Sequence, residues 1–197
     1  MKHVKLCVIG PYQAGKTMII KHLDPNALTV GYTKGSYSTT IGLDLGVVYW
    51  DVESGEIQSK SQFRGEAGSE VWEVYLFGTP GQMRYTPVRQ VLVKGSSGLV
   101  LVIDSTKLGQ VGFALAMYNE VRNVLKKNVP MVVMANKQDE DNAVKPDTIA
   151  DLLGLPDVPV YGTSAITGVG IREALVDLLS RIRREEIRRI SYSFFRR

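Results

Sequence analysis

At 197 residues the chain is long enough for one domain with a buried core and short for two. Its 44% hydrophobic and 22% charged residues suit a globular protein, and apolar runs such as 98–103 and 130–135 fall far below a membrane span. The net charge of +4 is uneven, because residues 181–197 carry seven arginines against two glutamates, which leaves −1 on the remainder. The body therefore does not read as a nucleic-acid-binding surface.

The opening Met1-Lys2-His3-Val4 leads into a strand pattern rather than a signal peptide. With Lys2 after Met1, N-myristoylation is not expected, and without a C-terminal cysteine neither is prenylation. Cys7 is the only cysteine and sits inside an apolar run, which reads as a small core residue. A cytoplasmic setting is expected.

In chain order, strands are expected at 4–9, 43–52, 71–77, 99–103, 131–135 and 158–161. Helices are expected from Gly15 to about Leu23, at 111–125, from Pro146 to Leu153, and at 171–182. The polar stretch 53–70 reads as a long hairpin connection. The expected fold is α/β: a six-stranded, mostly parallel sheet with one antiparallel strand and helices on both faces. Residues 1–185 form the domain, and 186–197 a basic, aromatic tail.

The strongest motif is Gly10-Pro11-Tyr12-Gln13-Ala14-Gly15-Lys16-Thr17, a G-x-x-x-x-G-K-T between a strand and a helix. Backbone N–H groups from Gln13, Ala14, Gly15, Lys16, Thr17 and Met18 are candidates to ring nucleotide phosphates at a helix N-terminus. Lys16 reaches the β- and γ-phosphates in this arrangement, and the Thr17 hydroxyl ligates Mg²⁺. Asn136-Lys137-Gln138-Asp139 follows a buried strand, where ligands of open sheets collect. A carboxylate there accepts from guanine N1–H and N2–H₂, a pair that adenine lacks, so Asp139 selects GTP or GDP. Asn136 braces the loops and the Lys137 stem covers the base. Gly162-Thr163-Ser164-Ala165 follows the last strand, and its amides, Ala165 especially, are candidates for guanine O6.

In order, G-x-x-x-x-G-K-T, T-I-G, P-G-Q, N-K-x-D and T-S-A resemble the motifs of a small GTPase of the Ras superfamily, from Val4 to about Ile182. The resemblance implies that Thr40, in Thr39-Thr40-Ile41-Gly42, closes over Mg²⁺ as switch I. It implies that the Gly81 N–H faces the γ-phosphate and that Gln82 orients the attacking water, as in switch II. Effectors and regulators would then meet the segments from Thr39 to Asp44 and from Gly78 to Pro87.

One position departs from the family pattern. Where D-x-x-G is usual, this chain has Gly78-Thr79-Pro80-Gly81, so the acid that holds Mg²⁺ through water is absent. If 43–52 and 71–77 form a hairpin, paired residue numbers have a constant sum near 122, which places Asp44 opposite Gly78. Asp44 is therefore the candidate replacement; an ordinary solvated strand acid is the alternative. With Asp44-Leu45-Gly46, the pattern is similar to prokaryotic small GTPases, including bacterial polarity regulators of the MglA type and their archaeal relatives. Arg84 and Arg89, in or after switch II, are either a cis arginine finger or solvated helix arginines.

At the end of the chain, Ile187, Ile190 and Phe194 are rotated by about 100–150° from the sheet-facing stripe of the last helix. Either the helix breaks near Glu185 and Glu186, or its end offers a separate surface. That surface could lie on an anionic membrane, dock on a partner or fold back. The expected function is a Mg²⁺-dependent GTP-binding, slowly hydrolysing switch; the alternative is a non-hydrolysing GTP/GDP-binding interaction module. The sequence does not fix an oligomeric state.

Overall fold

The computed structural model describes residues 1–30, 32–34, 37–39, 43–65, 68–125 and 128–194. The elements in order are β1 (Lys2–Ile9), α1 (Lys16–Leu23), β2 (Leu28–Thr29), β3 (Tyr32–Lys34), β4 (Tyr37–Thr39), β5 (Asp44–Asp51) and β6 (Ile57–Ser59). They continue with β7 (Val71–Gly78), α2 (Thr86–Val93), β8 (Gly98–Asp104), α3 (Val111–Leu125), β9 (Met131–Asn136), α4 (Pro146–Leu153), β10 (Val160–Gly162) and α5 (Ile171–Phe194).

The main sheet has eight strands, ordered β10-β9-β8-β1-β7-β5-β2, with β6 also paired to β5. This corrects the expected six-stranded sheet with one antiparallel strand. The pairs β2–β5, β5–β6 and β5–β7 are all antiparallel, so the sheet is mixed. The two extra strands are only two and three residues long. At that length backbone pairing leaves too little side-chain alternation to read. β3 and β4 pair in a small sheet of their own.

Strand alternation divides the core in two. Val4, Leu6, Val8, Val100, Val102, Val132 and Met134 pack with α1 and α5 on one face. Cys7, Ile9, Leu99, Leu101, Ile103, Val133 and Ala135 pack with residues of α2, α3 and α4 on the other. β1, β8 and β9 are buried on both faces, as central parallel strands are. α4 has Pro146 in its first turn, where a missing N–H costs nothing, and ends at the left-handed Gly154.

The pairing of β5 with β7 follows the constant sum, Asp44 opposite Gly78 and Trp50 opposite Trp72. The two indoles meet edge to face at 5.1 Å. α5 runs unbroken through Glu185 and Glu186. Arg183 bonds Glu70 at 2.9 Å and Lys2 pairs with Glu186, tying the distal helix to the domain. Beyond this point Ile187 and Ile190 are exposed. Among the described residues no helix is long and apolar enough to cross a membrane.

Candidate nucleotide and metal site

The ends of β1, β7, β8, β9 and β10 and the start of antiparallel β5 meet at one edge of the sheet, and the motif residues gather there. Ligands of open α/β sheets bind at this edge. The loop after β1 takes positive φ at Gly10, Gln13 and Gly15 before entering α1. Gln13 is exposed at the loop's tip, Ala14 is buried beneath it, and Met18 points outward from the first turn of α1.

Lys16 is buried, and its Nζ donates to the Gly10 and Pro11 carbonyls at 2.8 and 2.7 Å. Burial pushes its amine down to about 7; the Asp44 carboxylate opposes this and the Arg89 guanidinium adds to it. The Thr17 hydroxyl donates to Asp44 Oδ2 at 2.6 Å. Asp44 is 2% exposed, and its other oxygen, Oδ1, is buried with no hydrogen-bond partner among the described residues. An orphaned carboxylate oxygen beside a hydroxyl is a donor set of the oxygen type that Mg²⁺ takes, directly or through water. The residues present therefore fit the metal.

With Asp44 in place, a side chain at Gly78 of β7 would be crowded. A β-carbon there would lie 2.9 Å from both Asp44 Cβ and Oδ2, and 2.8 Å from Ile20 Cδ1. Asp44 fills the space from the opposite strand. Thr79 anchors the next step through its amide, which donates to the Val8 carbonyl at 3.0 Å. Gly81 then lies directly on the phosphate loop, where a β-carbon would be 2.6 Å from the Tyr12 nitrogen and 2.7 Å from Lys16 Nζ. Gln82 is half-buried at the start of a short 3₁₀ turn.

The two arginines of this segment differ in kind. Arg84 is exposed, with its guanidinium 4.9 Å from the Tyr85 ring centre. Arg89 is fully buried, so it is not the solvated helix residue that is one of its two readings. It donates to the Pro80 carbonyl at 2.8 Å, to Thr86 Oγ1 at 2.9 Å and to Glu120 of α3 at 2.8 Å. Sequence reasoning missed this strut, because arginine is almost never fully buried unless paired and Glu120 lies 31 residues away.

Asn136 links three segments. Its Nδ2 donates to the Ala14 carbonyl at 2.9 Å, and its Oδ1 accepts from the Ala165 amide at 3.0 Å and the Thr163 hydroxyl at 3.4 Å. Lys137 adopts positive φ and its Nζ reaches Asp104 Oδ2 at 2.7 Å. Burial opposes ionisation of Asp104, but Lys137 and the hydroxyl and amide of Thr106 outweigh it and hold the carboxyl below the usual range. No local pattern singles out Asp104, an acid ending an apolar strand. Gln138 donates to Ser105 Oγ and the Val144 carbonyl, each at 2.9 Å, fixing the loop that exposes Asp139. Ser164 is buried and accepts from the Thr167 amide at 3.1 Å. Thr40 lies outside the described residues, and Thr39 ends β4.

A phosphate loop, a guanine-type loop and a glycine-rich switch segment on one sheet edge define a P-loop GTPase domain. The sequence model of the Ras family matches residues 5–184, and the chain belongs to that family. It is 28% identical over 180 residues to mutual gliding-motility protein MglA of Myxococcus xanthus, covering 87% of this chain and 86% of that one. It is 25% identical over 189 residues to ADP-ribosylation factor-like protein 6 of Caenorhabditis elegans, covering 92% and 87%. It is 23% identical over 186 residues to Ras-related protein RABD1 of Arabidopsis thaliana, covering 92% and 80%. The chain is thus a small GTPase that binds GTP and GDP with Mg²⁺ and hydrolyses GTP as a molecular switch. It has the family's general capacity to engage effectors and regulators.

Proposed function

We propose that Asp44 supplies the carboxylate of the Mg²⁺ site in this switch, and that Thr17 and Thr40 are its direct metal ligands. The observation that carries this reading is the buried Asp44 Oδ1, without a hydrogen-bond partner among the described residues, beside the Thr17 hydroxyl. When bound, Mg²⁺ counters charge developing on the phosphate oxygens. Lys16 exchanges its two carbonyl bonds for β- and γ-phosphate oxygens. Gln82 orients the water that attacks the γ-phosphorus in line, and the Gly81 amide donates to the γ-phosphate; GDP and inorganic phosphate leave. Asp139 accepts from the guanine edge, and Lys137 and Asn136 hold the base pocket. The Ala165 amide, now donating to Asn136, is shared with guanine O6.

Intrinsic turnover is slow on this reading, because the buried Arg89 is committed to Pro80 and Glu120 rather than to the phosphate loop. A partner completes the site. Effectors and regulators bind from Thr39 to Asp44 and from Gly78 to Pro87, next to the γ-phosphate position. Single-turnover GTP hydrolysis with and without Mg²⁺, on the wild type and Gln82→Ala, tests the assignment. Mg²⁺-dependent turnover lost in Gln82→Ala supports it. Equal rates in both proteins would remove Gln82 from the mechanism, and no turnover in either would favour a non-hydrolysing interaction module.

Residues 1–185 form the switch, and residues 186–197 supply a second contact surface. The exposed Ile187 and Ile190, flanked by Arg183 and Arg189, support peripheral contact with an anionic membrane from the cytoplasmic side. Co-sedimentation with anionic vesicles, lost on Ile187→Glu/Ile190→Glu, tests this role.

A further inference from the structure

A cavity of about 650 Å³ opens between α3 and α5 at the end of the sheet opposite the nucleotide edge. β8 and β9 begin beside it, at Leu99 and Met131, and finish at Asp104 and Asn136 in the guanine loop. Among the described residues, no motif of the nucleotide site contributes to its wall.

The inner wall is apolar. Leu99 and Met131 are buried members of the core, and Leu125 and Leu155 pack half-buried against the same cluster. The rim is cationic. Arg122 reaches it from α3, and Arg181, Arg184 and Arg188 from α5. The three on α5 are spaced i, i+3, i+7 and therefore share one helix face. Asp157 and Glu185 also line the cavity, which leaves an excess of two positive charges among the described lining residues.

Two of these arginines, Arg122 and Arg188, are less committed than others nearby. Arg183 is bonded to Glu70 and Arg189 to Glu185, on other faces of the helix. Within the cavity, Arg181 pairs with Asp177 at 2.7 Å and Arg184 lies 3.9 Å from the same carboxylate. Arg122 and Arg188 make no ion pair with a described residue. An apolar wall of this size with a few convergent polar groups is the composition of small-molecule sites. Guanidinium groups match carboxylates and phosphates in geometry, and a low-dielectric wall behind them strengthens their field.

We propose that this cavity binds a small amphiphilic anion, its apolar body against Leu99, Leu125, Met131 and Leu155 and its phosphate or carboxylate on Arg122 and Arg188. The site is separate from the membrane-facing stripe. Ile187 and Ile190 lie about 90° and 150° around α5 from the arginine face. The ligand is therefore a monomer held by the cavity rather than a bilayer surface.

The test titrates the full chain with GDP bound, using octyl phosphate below its micelle concentration, inorganic phosphate and octanol, followed by calorimetry. Saturable one-to-one binding of octyl phosphate is expected, with the other two probes at least tenfold weaker. The double variant Arg122→Ala/Arg188→Ala, altered at two exposed positions, loses at least tenfold in octyl phosphate affinity and keeps its GDP affinity. Inorganic phosphate binding as tightly as octyl phosphate would reduce the cavity to a charge cluster and overturn the proposal. Wild-type octyl phosphate affinity in the double variant, or no saturable binding, would overturn it as well. A short peptide alternating glutamate and leucine that binds more tightly than octyl phosphate would make the cavity a protein-docking surface, against the small-ligand assignment.

Discussion

Asp44 and Gly78 face each other across β5 and β7, and the side chain of the first occupies the space where a side chain on the second would stand. On the proposed reading, the carboxylate of the metal site stands across one strand pair from the position where the family keeps it. Its Oδ2 holds the Thr17 hydroxyl, while Oδ1 remains buried and available. A glycine at 78 is thus the complement of an aspartate at 44.

Restoring the acid at 78 alone should therefore harm the protein. Gly78→Asp places a β-carbon 2.9 Å from Asp44 Oδ2 and a second carboxylate beside the first. Overpacking of this kind costs about 1–3 kcal/mol, before like-charge repulsion. Thermal unfolding should show the loss in Gly78→Asp, and the exchange variant Asp44→Gly/Gly78→Asp should recover much of it. A single variant as stable as the wild type would contradict the steric account.

The depressed Lys16 amine makes nucleotide binding proton-linked. In the nucleotide-free fold its pKa is about 7, against 10.5 for the ordinary side chain. Between those values the unfolded chain holds more protons than the folded one, so stability of the nucleotide-free protein rises with pH across this window. Phosphate oxygens favour the charged amine, so GDP binding at pH 8 should take up nearly one proton. Calorimetry in two buffers of different ionisation enthalpy measures this uptake, and Lys16→Met should abolish it.

Breaking the Arg89–Glu120 strut should loosen switch II without touching the base pocket. Glu120→Ala leaves a fully buried guanidinium without its counter-charge, which costs about 3 kcal/mol or more. Hydrolysis should slow because Pro80, one residue before Gly81, loses its fixed partner. GDP affinity should change little. Chemical denaturation and single-turnover kinetics on the same variant separate the two effects.

Asp139→Asn should exchange base preference rather than abolish binding. The amide offers one acceptor and one donor where guanine presents two donors, and so fits the xanthine edge better. Loss of about two or more orders of magnitude in GDP affinity, with a gain for xanthosine diphosphate, is expected in competition binding.

The parts of the molecule legible in the sequence are those where spacing alone constrains geometry. The phosphate loop and the guanine loop are contiguous motifs, and the β5–β7 register follows from the symmetry of a hairpin about its connection. β2 and β6 were not legible, because two or three residues held by backbone pairing carry no periodic pattern. Arg89 reads as a finger or a solvated helix arginine because its partners, Pro80 and Glu120, come together only through packing of α2 on α3. Asp104 was hidden in the same way, as a polar end to an apolar strand whose partner Lys137 follows the next strand. The cavity between α3 and α5 joins residues 99 to 188, and no local pattern announces it.

The most direct test of the Asp44 assignment is a Mg²⁺ titration of GDP dissociation in the wild type, Asp44→Asn and the Asp44→Gly/Gly78→Asp exchange. Nucleotide should be retained by Mg²⁺ in the wild type, should dissociate at a rate nearly independent of Mg²⁺ in Asp44→Asn, and should regain Mg²⁺ dependence in the exchange. An Asp44→Asn protein with the Mg²⁺ dependence of the wild type would contradict the account, because the buried carboxylate would then play no part in holding the metal.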